Sequence, residues 1–308
     1  MLTYRNRNSF LQKLHPLSGV LLIFLYLIVF IIIDNPIYLA IIFSSFLLLS
    51  FIDGSLKELL NYGKLIAPFA FMIIVLNPIL VKNGQTVIYE GKINYPLLGP
   101  VRITLEATLY GLLTGIRVIC VTFVFGFGNL VIHPDRAFSY FSRYFKNSSL
   151  LMNMTIRLFP SIIKSYENIK SIEKVRGNDI SSKNLKKRII SYGNIINILF
   201  LSSMEDSSDI AEAMYSRGYG VSRKRNTYFK EKFKLRDMVI IGVTLVGFIY
   251  LKFLRDKGLT ELSFYPLLEN PIRNLNLYGG IFCGILLIPS LISWGWQYGS
   301  YKYKRSKF

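Results

Sequence analysis

Cysteine and histidine are scarce in this chain of 308 residues, with two cysteines and two histidines. Cys120 and Cys283 both lie inside apolar runs, which favours small core residues over a disulfide or a metal site. His15 and His133 are far apart in the sequence, and each precedes a proline. No cluster has metal-ligand spacing, so we predict no metal site, no cofactor and no catalytic residues.

Acidic residues are also few, 18 against 37 lysines and arginines, and the long apolar runs contain none of them. A self-contained secondary transporter usually carries intramembrane acids or a broken-helix site in repeated halves, and the sequence shows neither. The phosphate-binding motif G-x-x-x-x-G-K-S/T is absent as well. We therefore expect any ATP hydrolysis to be carried out by another chain.

Apolar residues make up 52% of the chain, and the mean hydropathy is +0.38. They form six runs, each near the ~20 residues that a helix needs to cross ~30 Å of hydrocarbon. The runs cover residues 17–33, 37–52, 65–81, 107–132, 238–254 and 277–296. Their length and composition predict an all-α membrane protein with about six transmembrane helices.

Positive charge is concentrated between the fourth and fifth runs, and the formal net charge is +19. The loops 82–105 and 255–272 mix few bases with acids. Lysine and arginine collect on the cytoplasmic side of membranes, which places residues 133–236 and both termini in the cytoplasm. We divide the chain accordingly into a membrane part, 1–132, a cytoplasmic region and a second membrane part, 237–308. Anionic lipid headgroups, rather than nucleic acid, are the expected partner of the bases.

Two polar residues, Asn77 and Arg117, lie inside predicted spans. Arg117 is near the middle of the fourth span, where a charge is costly, so it should face the interior of the bundle. The sequence is compatible with a structural bond to a carbonyl or to Asn77, and equally with a role in gating or in a substrate path. Asn77 and Pro78 should kink or end the third span.

Two further stretches, residues 150–163 and 189–204, are apolar but short and interrupted by polar residues. We interpret them as buried or interfacial helices rather than spans. The distinction matters for the topology. If residues 189–204 crossed the membrane, the segments before and after them would lie on opposite sides of it.

Two segments of the cytoplasmic region end in the same pair of residues, an arginine followed by a glycine. In residues 161–177 apolar side chains recur at helical spacing, and Gly177 follows Arg176 as a natural helix stop. In residues 205–220 acids fill the first turns, and Gly218 follows Arg217. The predicted faces of the two helices comprise Ile162, Tyr166, Ile169, Ile172, Ala211, Met214 and Tyr215. Such terminal arginines either finish helices near anionic lipid or dock on an acidic groove of a partner.

The triplets Val175-Arg176-Gly177 and Ser216-Arg217-Gly218 carry a family resemblance. Together with Arg157-Leu158-Phe159-Pro160 and the run from Asp209 to Tyr219, they resemble the transmembrane T component of energy-coupling factor (ECF) importers. In that cobalt-transport-type permease family, two motifs, commonly Ala-Arg-Gly, end two cytoplasmic coupling helices. Neither triplet begins with alanine here, but both keep the arginine.

The resemblance implies a scaffold rather than an enzyme. It implies that the two triplets dock two cytoplasmic ATP-binding-cassette (ABC) ATPases, while the membrane part holds a separate substrate-binding S component. The complex would import vitamins or transition-metal ions through the cell membrane. A self-contained secondary transporter, a membrane enzyme and a conventional ABC importer permease with one coupling loop are the alternatives.

Overall fold

The chain divides into two compact units, described here from a computed structural model. The first unit, the body, comprises residues 1–137 and 232–308, and the second, the insert, comprises residues 138–231. The structure describes residues 9–81, 84–95, 99–141, 149–177, 185–219, 221, 233–264, 271–272 and 275–305.

Six of the described helices lie wholly in the body. They are α1 (Pro16–Ile32), α2 (Pro36–Asp53), α3 (Leu56–Leu80), α4 (Leu105–Val131), α8 (Leu235–Asp256) and α9 (Leu277–Arg305). All of these except α1 are long and apolar enough to cross a membrane, and α1 is an apolar helix of 17 residues. The chain is thus a multi-pass membrane protein. The remaining helices are α5 (Pro134–Phe141), α6 (Ser149–Val175) and α7 (Leu185–Ser216).

Each of the six predicted apolar runs falls within one of the body helices, but some boundaries differ. Helix α3 begins at Leu56 rather than at residue 65, because the more polar stretch before the run continues the helix. The helix also passes through Pro78 and ends at Leu80. Asn77 and Pro78 therefore lie in the last turn of α3, where a lost backbone hydrogen bond costs little.

Aromatic side chains from several helices meet in the interior of the body. Tyr26 of α1 and Phe127 of α4 both meet Phe46 of α2 edge to face, at centroid distances of 5.4 and 5.3 Å. All three are buried. Because lipid tails are as apolar as these side chains, close packing rather than exclusion from water holds the helices together. Edge-to-face pairs of this kind contribute about 0.5–1.5 kcal/mol each.

Helix α9 is bound to α1 and α2 by hydroxyl groups next to its internal proline. Pro289 has no amide to donate to the carbonyl oxygen of Ile285. The hydroxyls of Tyr26 and Ser45 both donate to the neighbouring carbonyl oxygen of Leu286, at 2.8 and 3.1 Å. These bonds join the proline-containing turn of α9 to two other helices.

Helices α3 and α4 approach each other through two glycines one turn apart. A Cβ atom built on Gly115 would lie 2.5 Å from Cγ1 of Ile74 and 3.2 Å from the carbonyl oxygen of Ala70. One built on Gly111 would lie 3.0 Å from Cβ of Asn77. The spacing is that of the G-x-x-x-G pattern, in which small residues let helix backbones come close in a membrane.

A β-hairpin connects α3 to α4 within the loop 82–105. Strands β1 (Val87–Tyr95) and β2 (Gly99–Thr104) pair antiparallel, with Val87 opposite Thr104. From the sequence this stretch was interpreted only as the connection between two predicted spans, and its strands were not predicted. Gly91 interrupts the apolar alternation of β1, so the segment lacks the regular pattern by which a strand is recognised. The all-α prediction holds for the membrane helices, with a small sheet added.

Replacing Gly115 by alanine should loosen the contact between α3 and α4. The added methyl group has no room beside Ile74 and Ala70, and overpacking of this kind costs about 1–3 kcal/mol. Thermal unfolding of the purified protein in detergent should show a lower midpoint. Gly242→Ala is the matched control, because a Cβ at Gly242 of α8 meets nothing within 4 Å. Equal midpoints for the two variants would contradict the close-packing role of Gly115.

Candidate docking site at two arginine-tipped helix ends

The insert is built on two long helices that pack against each other. Helix α6 has 27 residues and α7 has 32, so α7 alone extends for ~48 Å at 1.5 Å per residue. The stretches predicted as separate elements, 150–163 with 161–177 and 189–204 with 205–220, are each part of one continuous helix. Pro160 lies inside α6 and does not end it, because a long helix tolerates the loss of one hydrogen bond.

Neither α6 nor α7 is among the five apolar helices found in the described part of the chain that could cross a membrane. Polar and charged side chains interrupt both helices at short intervals, as in Lys186, Asn194 and Asn197 of α7. The segment that joins the two arginine motifs therefore contains a continuous helix of mixed polarity at residues 189–204.

The end of α7 is a Schellman motif with Gly218 in the left-handed conformation, at φ 74°. The amide of Gly218 donates to the carbonyl oxygen of Tyr215 at 2.9 Å, and the amide of Tyr219 donates to that of Met214 at 3.0 Å. These bonds satisfy carbonyl groups that the helix itself leaves without partners. Arg217 is consequently the last residue before the chain reverses.

The end of α6 repeats this geometry. Gly177 has φ 84°, and its amide donates to the carbonyl oxygen of Lys174 at 3.2 Å. The amide of Arg176 still donates to the carbonyl oxygen of Ile172 at 3.0 Å. Arg176 thus occupies the same position at the end of α6 as Arg217 does at the end of α7. The helix stops predicted at both glycines are confirmed.

Both arginines are exposed, and each has a large exposed apolar neighbour. The side chain of Arg176 is 65% exposed, and its Nη1 lies 3.2 Å from Oε1 of Glu173, a carboxylate only 4% exposed. Val175 is 88% exposed and Tyr215 is 84% exposed. Tyrosine and arginine are among the residues enriched at the energetic centres of protein interfaces, and an exposed valine adds apolar contact area.

The predicted faces of the two helices are only partly exposed. Ile162 and Ile172 of α6 and Ala211 of α7 are exposed, whereas Tyr166, Ile169 and Met214 are half-buried. A second apolar surface on α7 was not predicted. Its exposed members recur at helical spacing: Leu185, Ile189, Ile196 and Phe200. Their spacing of four or seven residues is the sequence pattern that could have revealed this surface.

Arg117, the charge within α4, is bound to the turn between α1 and α2. Its Nη2 donates to Oδ1 of Asp34 at 2.6 Å and to the carbonyl oxygen of Ile33 at 3.1 Å. From the sequence we expected Arg117 to bond either to a carbonyl or to Asn77. The bond to a carbonyl is confirmed, and Asn77 is not the partner. Asn77 instead lies against Gly111. Asp34 was overlooked because it follows the first apolar run and resembles an ordinary boundary residue.

The comparisons with known proteins concern most of the chain. The sequence profile of the CbiQ family, described as cobalt transport protein, matches residues 7–228. This match includes both arginine triplets and four of the body helices. The chain belongs to the CbiQ family. The resemblance stated from the motifs is therefore confirmed.

Individual relatives carry a more specific description. A protein of Staphylococcus aureus named energy-coupling factor transporter transmembrane protein EcfT is 26% identical over 261 residues, covering 79% of this chain and 93% of the relative. A protein of Macrococcus caseolyticus with the same name is 25% identical over 259 residues, covering 79% and 94%. A third, from Lactococcus lactis, is 32% identical over 102 residues, covering 33% of this CbiQ-family chain and 38% of the relative.

Substitution of Gly218 by alanine should weaken the end of α7. A side chain in the left-handed conformation costs about 1 kcal/mol, so the last turn should open more often. Hydrogen exchange at the amide of Tyr219 should become about fivefold faster, as 1 kcal/mol of opening free energy requires. The exchange rate in Gly218→Asn should lie between those of the parent protein and of Gly218→Ala, because asparagine tolerates the left-handed conformation better than alanine.

Gly193→Ala is the control for this experiment. Gly193 lies within α7, and a Cβ there meets nothing within 4 Å. The control should leave the exchange rate of Tyr219 unchanged. A Gly218→Ala variant with the exchange rate of the parent protein would show that the left-handed glycine is not what closes the helix.

Proposed function

We propose that this chain is the transmembrane T component of an ECF-type importer. Through Arg176 and Arg217 it holds two cytoplasmic ABC-type ATPases, and through its membrane part it holds a substrate-binding S component. Vitamins or transition-metal ions are the cargo class. The observation that supports this most is the repeated helix end, in which an exposed arginine follows the last turn of each of two packed helices.

Arginine is suited to this docking role for a geometric reason. Its guanidinium is planar and can engage a carboxylate through two parallel hydrogen bonds, so it fixes orientation as well as charge. The exposed side chains of Val175 and Tyr215 add apolar area beside these polar anchors. Two such ends on one rigid helix pair match two ATPase subunits, each with its own groove.

The triplets Val175-Arg176-Gly177 and Ser216-Arg217-Gly218 form the docking site in this proposal, and the helix faces transmit the movement. Closure of the ATPases on ATP would displace both helix ends together, because α6 and α7 pack against each other. Packed helices shift between discrete arrangements rather than deform. The shift would reorient the S component, while this chain serves as a scaffold without catalytic residues.

The proposal includes six spans with both termini in the cytoplasm. Helix α1 is the sixth span: its 17 residues give ~25 Å at 1.5 Å per residue, and residues on either side lengthen its apolar stretch. An even number of spans returns the chain to its starting side. The lysines and arginines of residues 133–236 then lie in the cytoplasm with the ATPases, as the positive-inside bias requires.

Charge reversal at both arginines should separate the chain from its ATPases. Arg176→Glu combined with Arg217→Glu places like charges against an acidic groove and should abolish co-purification of the ATPase pair. Membrane insertion should be unchanged, because both side chains are exposed and neither belongs to a body helix. Tagged protein isolated from membranes in mild detergent, with its bound subunits quantified, gives the measurement.

The matched control places the same charge change elsewhere on α6. Arg157→Glu with Lys164→Glu alters two exposed bases that lie at least 12 residues before Arg176. This variant should keep most of the bound ATPase. Equal loss from both variants would indicate a dependence on overall charge and would refute docking through Arg176 and Arg217.

Accessibility of introduced cysteines should reveal the orientation of the insert. Single cysteines near residues 180 and 222, in a variant lacking Cys120 and Cys283, should react with a membrane-impermeant maleimide only from the cytoplasmic side. A cysteine at position 257, between α8 and α9, should react only from outside. Labelling of 180 and 222 from opposite sides would overturn the proposed topology.

A further inference from the structure

The seven residues before α1 are packed into the body. Residues Ser9–His15, here called the N-terminal clamp, contain a short 3-10 helix at Leu11–Lys13. Every side chain of the clamp except that of Lys13 is buried. Burial of Gln12 and His15 requires hydrogen-bonding partners, and these partners lie at two particular places in the chain.

The first place is where the chain leaves the body for the insert, after residue 137. Nε2 of Gln12 donates to the carbonyl oxygen of Leu130 in the last turn of α4, at 3.0 Å. Nη1 of Arg136 in α5 donates to the carbonyl oxygen of Gln12 at 3.1 Å. One residue of the clamp thus bridges the end of α4 and the start of α5.

The second place is where the chain returns to the body, at residue 232. The amide of His15 donates to Oδ1 of Asp237 at 2.8 Å, and the amide of Lys234 donates to Oδ2 of the same carboxylate at 2.9 Å. The imidazole of His15 stacks on Phe233 with ring centroids 4.0 Å apart. Asp237 is 1% exposed. Its charge is stabilised by these two amides and by the N-terminus of α8.

These two places are the only covalent connections between the body and the insert, as the unit boundaries define them. Three hydrogen bonds join the four residues Gln12–His15 to these two places, and a fourth joins Lys234 to Asp237 within the second place. We infer that the N-terminal clamp holds the exit and the return of the insert together, so that movement of the insert is passed to the body helices instead of being absorbed at the junctions. Gln12, His15, Arg136 and Asp237 are its positioning residues. Its use in transport rests on the proposed function.

Because the clamp contacts both junctions, a substitution at one junction should change hydrogen exchange at the other. This effect can be measured on the isolated chain. In Asp237→Ala, hydrogen exchange should accelerate not only at His15 and Lys234 but also at the amide of Ala137, which donates to the carbonyl oxygen of His133 at 3.0 Å. Ala137 lies at the exit, whereas Asp237 lies at the return. We expect about a tenfold increase at Ala137, the effect of ~1.4 kcal/mol lost from the clamp.

A second variant tests the same coupling in the opposite direction and preserves the shape of the clamp. Gln12→Met removes the bond to Leu130 with a side chain of similar size, and exchange at Lys234 should accelerate by about the same factor. Asp256→Ala changes an exposed acid at the other end of α8 and should alter neither amide. Acceleration confined to the mutated junction in both variants would overturn the clamp.

The role in transport is tested with the complex of this chain, its ATPases and its S component. Addition of ATP with vanadate should change hydrogen exchange in α4 and α8 of the parent complex. In the Asp237→Ala complex the ATPases should still bind, because the helix ends are intact, but the change in α4 and α8 should be lost. An equal change in both complexes would refute a transmitting role. Failure of the parent chain to bind ATPases would instead refute the proposed function, and the exchange results on the chain alone would stand.

Discussion

Backbone polar groups must be paired wherever the chain lies in hydrocarbon, and this constraint shapes the whole body. Because of this constraint the apolar runs form helices, and specific polar contacts lie at the helix ends. Asn35 shows the pattern, because its Oδ1 accepts from the amide of Ile37 to start α2 while its Nδ2 donates to the carbonyl oxygen of Pro271. His15 likewise starts α1, with Nδ1 accepting from the amide of Leu17, and also joins that helix to α8. The turns between helices therefore carry polar bonds that help to fix the arrangement, alongside those made within the helices.

The same rule explains Arg117. A guanidinium in the middle of a span needs an acceptor, and the span's own carbonyls are already occupied. The turn at Ile33 and Asp34 reaches the level of Arg117 because α1 has 17 residues whereas α4 has 27. The side chain thus meets a helix end, where a free carbonyl and a carboxylate are both present. This pairing gives Arg117 a structural role in joining α4 to the first hairpin of helices.

Much of the architecture could be predicted because it depends on local composition. Apolar runs give the body helices, and Gly177 and Gly218 give the two helix stops, since only glycine adopts φ near 80° without strain. The partner of Arg117, the hairpin of β1 and β2, and the contacts of His15 could not be predicted. The hairpin lacks a regular alternation of apolar residues, whereas the other contacts join residues distant in sequence, such as Asp34 with Arg117 and Asp237 with His15, and no periodicity records such pairs. The continuity of α6 was missed because its first half is mostly apolar and its second half is amphipathic, so that the composition changes within one helix.

The helix ends leave the residue before each arginine exposed. Val175 and Ser216 are the last helical residues, and the hydroxyl of Ser216 donates to the carbonyl oxygen of Ala213 in its own helix. The following glycines, in contrast, are held by backbone geometry. Either residue before the arginine can therefore be exchanged with little effect on folding. If the two ends dock a partner as proposed, the fit of each end to that partner can change while the scaffold stays unaltered.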